Sequence, residues 1–230
     1  MKPHPLSQYY YEISDNNIRS IPIEPRDHAR LFVYDTTTDT IHFDYFYNIA
    51  RYLPERSLMI MNNTGVIPAR VTFTKDTGGL IQGMVLYNEG FRDDGSIAII
   101  VNKQIFPGRR LAIGDYWFTI VEQIDQKFYV QPDHSPELLP EILMKHGTTP
   151  TPYYLGTIAM TEDGLRKRYQ TIFSENNKSV AAPTASLHVT DTVLRTLTDK
   201  DISTAYVTLD VGLGTFAEVE DKNISDKYLH

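Results

Sequence analysis

VIPARVTF (66–73), GGLIQGMVLYN (78–88), GSIAIIVN (95–102) and DYWFTIVEQI (115–124) are short β-rich runs within one stretch of chain. KDTGG, FRDDG, FPGRRLAIGD and DQK part them. Strands returning at short, even intervals between Gly and Asp turns predict a small antiparallel sheet or barrel. Trp117 and Phe118 are its expected core anchors.

The flanks read differently. RLFVYD (30–35) is a short apolar run bounded by turn formers. FDYFYNIARYL (43–53) sets Phe43, Phe46, Tyr47, Ala50 and Leu53 at helical spacing. SLMIMNN (57–63) reads as a buried strand. After the β-rich stretch, SPELLPEILMKHG (135–147) predicts a helix with Ser135 as N-cap, Pro136 in the first turn and Gly147 past the end. A helix capped by Thr190 and a strand through STAYVTLDV (203–211) follow. The expected fold class is α/β, interrupted by a small antiparallel β-barrel. Residues 1–65 and 148–230 would form the α/β domain, and 66–147 the inserted one.

The 230 residues can bury a sizeable core without staples. There are no cysteines, which excludes a disulfide scaffold, a thiolate zinc site and a Cys nucleophile. A formal net charge of -7 argues against broad nonspecific nucleic-acid binding, but not against one local basic patch. The N-terminal stretch has no apolar core of a signal peptide, and no apolar run is long enough to span a membrane. A cytoplasmic location and a monomer are the expectations.

Several residues stand out, each with two readings. SVAAPTASLHVT (179–190) holds one titratable ring in a run of small residues. His188 is either a satisfied core histidine or a polar group aimed at a ligand lying on that wall. Ser186, two residues away, would share its face in a strand, as a dyad or by accident. RKR (166–168) is a solvated helix face or a phosphate contact. Tyr9–Tyr11 either stack on bases or pack on the body. Arg70, among apolar neighbours, wants a carboxylate or phosphate partner. GLGTFA (212–217) fits a dinucleotide fingerprint only loosely. A tight turn, or backbone brought close to a smaller ligand, fits it as well. The seven histidines lack metal-site spacing, so no metal is expected.

Together NNTGVIPARV (62–71), TGG (77–79), RYQTIFSENNKSVAAPTASLHVT (168–190) and VTLDVGLGTFAEV (207–219), with PRDHARLFVYD (25–35), resemble one family. It is the S-adenosylmethionine:tRNA ribosyltransferase-isomerase family of queuosine biosynthesis, and the resemblance spans nearly the whole chain. It implies a bacterial, cytoplasmic transferase and isomerase. Such an enzyme moves the ribosyl part of S-adenosylmethionine to a 7-aminomethyl-7-deazaguanine base in tRNA, giving epoxyqueuosine, adenine and methionine. S-adenosylmethionine is then a consumed substrate, and no other cofactor is expected.

The resemblance also suggests roles. His188, Tyr169 and Asp210 would serve the chemistry. Asn62, Asn63, Arg70, Gln170, Ala182, Pro183, Thr184, Gly212, Gly214 and Thr215 would hold the substrate. Arg166, Lys167 and Arg168 would meet tRNA phosphate. This chain departs from the family pattern at Asn63, Gly65, Ser186, Val189, Asp210 and Lys227, and that pattern runs on beyond position 230. The second reading is a noncatalytic RNA- or nucleoside-binding paralogue on the same scaffold.

Overall fold

The computed structural model describes residues 10–14, 17–19, 21–152, 155–156 and 158–215. Tyr9, Lys227 and the segment 216–230 lie outside them.

Six strands close the barrel: β5 (Arg70–Lys75), β6 (Leu80–Val85), β7 (Ile97–Val101), β8 (Arg110–Ile113), β9 (Tyr116–Ile124) and β10 (Lys127–Pro132). Their order around it is β10-β7-β6-β5-β8-β9, and every neighbouring pair is antiparallel. Alternation sends every second side chain inward. Val71 and Phe73 are buried while Thr72 between them is exposed. Phe73 faces Phe118 edge-on, with ring centroids 6.4 Å apart. Gly78 (φ 84) and Gly114 (φ 58) supply the left-handed turns that join β5 to β6 and β8 to β9. Helix α1 (Leu139–His146) adds Leu139, Ile142 and Leu143 to the same core, one stripe at helical spacing.

The α/β part contains two parallel strand pairs. β3 (Leu58–Asn62) pairs with β12 (Ser203–Val207), and β4 (Thr64–Val66) with β11 (Asn176–Ser179). A second core joins Ala50, Met61, Val189, Val193, Leu197 and Ile202. Two further helices, α2 (Glu162–Arg168) and α3 (Asp191–Asp199), belong to this part. Thr190 caps α3 as expected: its Oγ1 accepts from Val193 N–H at 3.2 Å and donates to buried Asp27 at 2.8 Å. An antiparallel hairpin, β1 (Arg30–Asp35) with β2 (Thr40–Tyr45), precedes them.

Four expectations need correction. Trp117 does not anchor the barrel. It is half-buried on the outer face, under the guanidinium of Arg110 at 4.8 Å, because Phe118 takes the inward position of β9. The helix expected from Phe43 starts later, as a 3-10 helix over Phe46–Tyr52, because residues 40–45 pair with β1. Only one side of β3 is covered, since Leu58 and Ile60 are exposed. Ser135 makes no side-chain cap; Pro136–Leu138 is a 3-10 turn, and the α-helix starts at Leu139. Pro140 fits there because the first helical turn needs no N–H.

The hairpin and the 3-10 helix are tied by Asp44. Its carboxylate accepts from Asn48 Nδ2, Tyr45 N–H and Tyr52 Oη, each at 2.8 Å. The Asn48 bond, then the other two, hold this carboxyl below its usual range. The folded form therefore keeps the charge to lower pH than the unfolded chain. Its contribution is full above the ordinary Asp value of about 4 and is lost as pH falls through the depressed one. Protection of the Tyr45 amide against hydrogen exchange, taken relative to its intrinsic rate, should fall as pH drops below about 4. In Asp44→Asn that acid step should be absent.

Candidate functional site

The segment from Pro183 to Thr190 is fixed at both ends, by a 3-10 turn over Thr184–Ser186 and by the Thr190 cap. Between them, His188 Nδ1 lies 2.9 Å from the carbonyl oxygen of Arg26. A carbonyl only accepts, so Nδ1 carries the hydrogen in the neutral ring. That leaves Nε2 with its lone pair available to act as a base. Phe46 packs on the ring at 5.6 Å. Ser186 is buried in the turn, not aligned along a strand, so the expected shared face with His188 is not formed.

His188 lines a cleft of about 780 Å³, together with Tyr169, Thr184 and Arg168. The folded chain thus brings four of the expected site residues together. Tyr169 is buried at the end of α2. Arg19, Arg26, His28, Arg30 and Tyr45 join them, and the sequence reading assigned none of these a role. The signal was present in PRDHAR (25–30), three basic side chains at alternate positions. Arg26 donates to Gln170 O at 2.9 Å, and Arg168 pairs with Glu24. Burial, and then the like charge of Arg168, lower the Arg26 pKa, while Glu24 acts in the opposite direction. The cleft is therefore cationic on one wall in a chain that is acidic overall.

The other expected residues lie elsewhere or have their polar groups engaged. Asn62 accepts from Leu209 N–H at 3.1 Å and donates to its carbonyl at 2.8 Å. Asn63 donates to Glu175 at 3.2 Å and accepts from Thr208 Oγ1 at 2.7 Å. Asp210 lies 2.7 Å from Thr64 Oγ1, which lies 2.8 Å from Ser179 Oγ, so these three form a relay that ties β4, β11 and the chain after β12. Gly65 fits because Asn177 approaches it: a Cβ there would stand 1.8 Å from Asn177 Oδ1. Arg70 lines a different cavity, on the barrel flank, and donates to Thr151 O at 2.9 Å. Arg166 is held by Glu162 at 3.0 Å and Gly147 O at 2.9 Å, while Lys167 is exposed. Ala182 and Pro183 are half-buried beside the cleft segment. Gly212 approaches Asn88 of the barrel part, and Gly214 and Thr215 are exposed in the following 3-10 turn.

Gln170 works as a clamp. Its Oε1 accepts from Val66 N–H at 2.9 Å and its Nε2 donates to Val66 O at 2.7 Å. Gln170→Leu should cost about 1–3 kcal/mol for each buried backbone group left unpaired. Urea denaturation measures that loss, and an unchanged midpoint would contradict the clamp.

Among the described residues no His, Asp and Glu cluster could hold a metal ion. Among them, too, no helix is long and apolar enough to cross a membrane.

A family described as "Queuosine biosynthesis protein" matches residues 6–230. A Fusobacterium nucleatum protein named S-adenosylmethionine:tRNA ribosyltransferase-isomerase is 34% identical, over 98% of this chain and 64% of its own length. Proteins of the same name from Aquifex aeolicus and Aliarcobacter butzleri are 35% and 34% identical, over 96% and 100% of this chain and 65% and 68% of theirs. The chain thus spans about two thirds of the length of these curated relatives. A crystal structure of an S-adenosylmethionine tRNA ribosyltransferase from Thermotoga maritima is 22% identical with a TM-score of 0.34, over 88% of this chain and 57% of that one.

Proposed function

Because the chain belongs to the family of queuosine biosynthesis proteins, we propose that it acts on S-adenosylmethionine and tRNA in that pathway. The reaction is transfer and isomerisation of the ribosyl unit onto a 7-aminomethyl-7-deazaguanine base. Epoxyqueuosine, adenine and methionine are the products. S-adenosylmethionine is consumed, with no separate cofactor.

One observation carries the assignment of the site. His188 is held through Nδ1, with Nε2 as its base nitrogen, in a cleft of about 780 Å³ that Tyr169 and Thr184 share. That size suits a small-molecule site. His188 serves as the proton-transfer group because the Arg26 carbonyl holds Nδ1 and leaves the Nε2 lone pair for the cleft. Arg168 and the exposed Lys167 give the phosphate side of the site. Asn62 and Gln170 hold backbone groups, while Asn63 and Asp210 bond other side chains.

Calorimetric titration with S-adenosylmethionine and salt-dependent titration with tRNA test the reading. Saturable binding of both, with tRNA affinity falling steeply with salt, is expected. Binding of tRNA without S-adenosylmethionine would point to a noncatalytic RNA-binding paralogue.

A further inference from the structure

Among the described residues, one face of the β1/β2 hairpin is exposed. Cross-strand register sets Arg30 opposite Tyr45, Phe32 opposite Phe43 and Tyr34 opposite Ile41. Opposite residues share a face, and all six are exposed, Phe32 at 59% and Phe43 at 82%. The other face is the packed one, where Leu31 and Val33 are half-buried and Asp44 bonds inward. Phe32 and Phe43 meet edge-on at 5.7 Å, and Tyr45 stacks on Tyr47 at 5.5 Å. Cross-strand rings support a hairpin, but that does not require their faces to stay in water. An apolar surface left open like this marks an interaction site.

Its chemistry selects the partner. Four of the six side chains are flat rings, and the ribbon runs from the acidic turn at Asp35 and Asp39 to a cationic end at Arg30. Arg30 and Tyr45 also line the His188 cleft, beside exposed Arg19. Rings leading into cations suit a chain of stacked bases joined by phosphates. The two aspartates keep phosphates away from the turn, so the path runs toward the cleft.

We propose that the exposed β1/β2 face is a stacking surface for unpaired bases of an RNA loop, with Arg30 and Arg19 meeting its phosphates at the cleft end. The inference rests on the proposed function for its RNA partner. It adds a surface made of Phe32, Phe43, Tyr34 and Tyr45.

The test uses the 230-residue chain and an RNA stem-loop with 2-aminopurine in the loop, read by anisotropy and emission. The wild type should bind and quench the probe. Phe43→Leu keeps apolar bulk and removes the ring, so affinity should fall about 10-fold and the quench should vanish. Phe43→Trp should restore both, which separates stacking from a folding defect. Arg30→Gln should lower the salt slope by about one unit. Equal binding and emission in wild type and Phe43→Leu would overturn the surface. So would self-association, read by sedimentation, that Phe43→Asp abolishes while RNA binding is unchanged. S-adenosylmethionine titration of the same samples reads the proposed function separately. A wild type that binds S-adenosylmethionine and tRNA but leaves the loop probe unquenched overturns the stacking surface alone, and one that binds neither S-adenosylmethionine nor tRNA overturns both.

Discussion

His188→Ala should cut adenine release from S-adenosylmethionine by about a hundred- to ten-thousand-fold, the range of a lost general acid or base. Binding of S-adenosylmethionine should change little by comparison. The Arg26 carbonyl fixes one ring nitrogen, and Phe46 limits the tilt of the ring. The neutral form then has one nitrogen free for proton transfer, already oriented. Removing the ring should leave the cleft walls in place, because the Thr190 cap and the 3-10 turn hold the backbone on both sides. Adenine is read by chromatography and binding by calorimetry. Undiminished release from the variant would remove His188 from the chemistry. Equal losses of release and of binding would recast it as a wall of the cleft.

Phe118→Ala should destabilise the barrel by about 3–5 kcal/mol, the usual cost of emptying a fully buried aromatic site. Phe118 is 1% exposed and packs against Phe73 inside a closed barrel, where little can collapse into the gap. Its neighbour provides the control. Trp117 is larger, but it lies half-buried outside the wall under Arg110. Trp117→Ala should therefore cost clearly less, although it removes more atoms. Urea denaturation of the two variants side by side decides the matter. Equal losses would contradict the placement of β9.

These two residues also show how far the fold can be read from sequence. A barrel of alternating strands was legible from its β-rich runs and Gly or Asp turns, but β8, inside FPGRRLAIGD, and β10 were not. Which of Trp117 and Phe118 points inward was not legible, since a one-residue shift of register exchanges them. The hairpin was not legible for a related reason. Phe43, Phe46, Tyr47, Ala50 and Leu53 keep helical spacing, yet pairing of residues 40–45 with β1 outweighs it. Thr190 as a cap was legible because capping is local.

The site divides in the same way. His188, Tyr169, Thr184 and Arg168 were singled out and share the cleft. The contribution of Arg26, Arg30 and Tyr45 was not read, because the hairpin that presents two of them depends on pairing. Gln170, Asn62 and Asp210 were expected at a ligand, and each also bonds a partner more than a hundred positions away. No local pattern encodes such bonds. Gly65 is similar, since only the folded chain shows Asn177 filling the space beside it.

The most direct measurement of the central claim is adenine release from S-adenosylmethionine, with and without tRNA carrying 7-aminomethyl-7-deazaguanine. A family-length relative serves as the positive control. The account predicts release by this chain that requires the modified tRNA. No release beside an active control would contradict catalysis by these 230 residues.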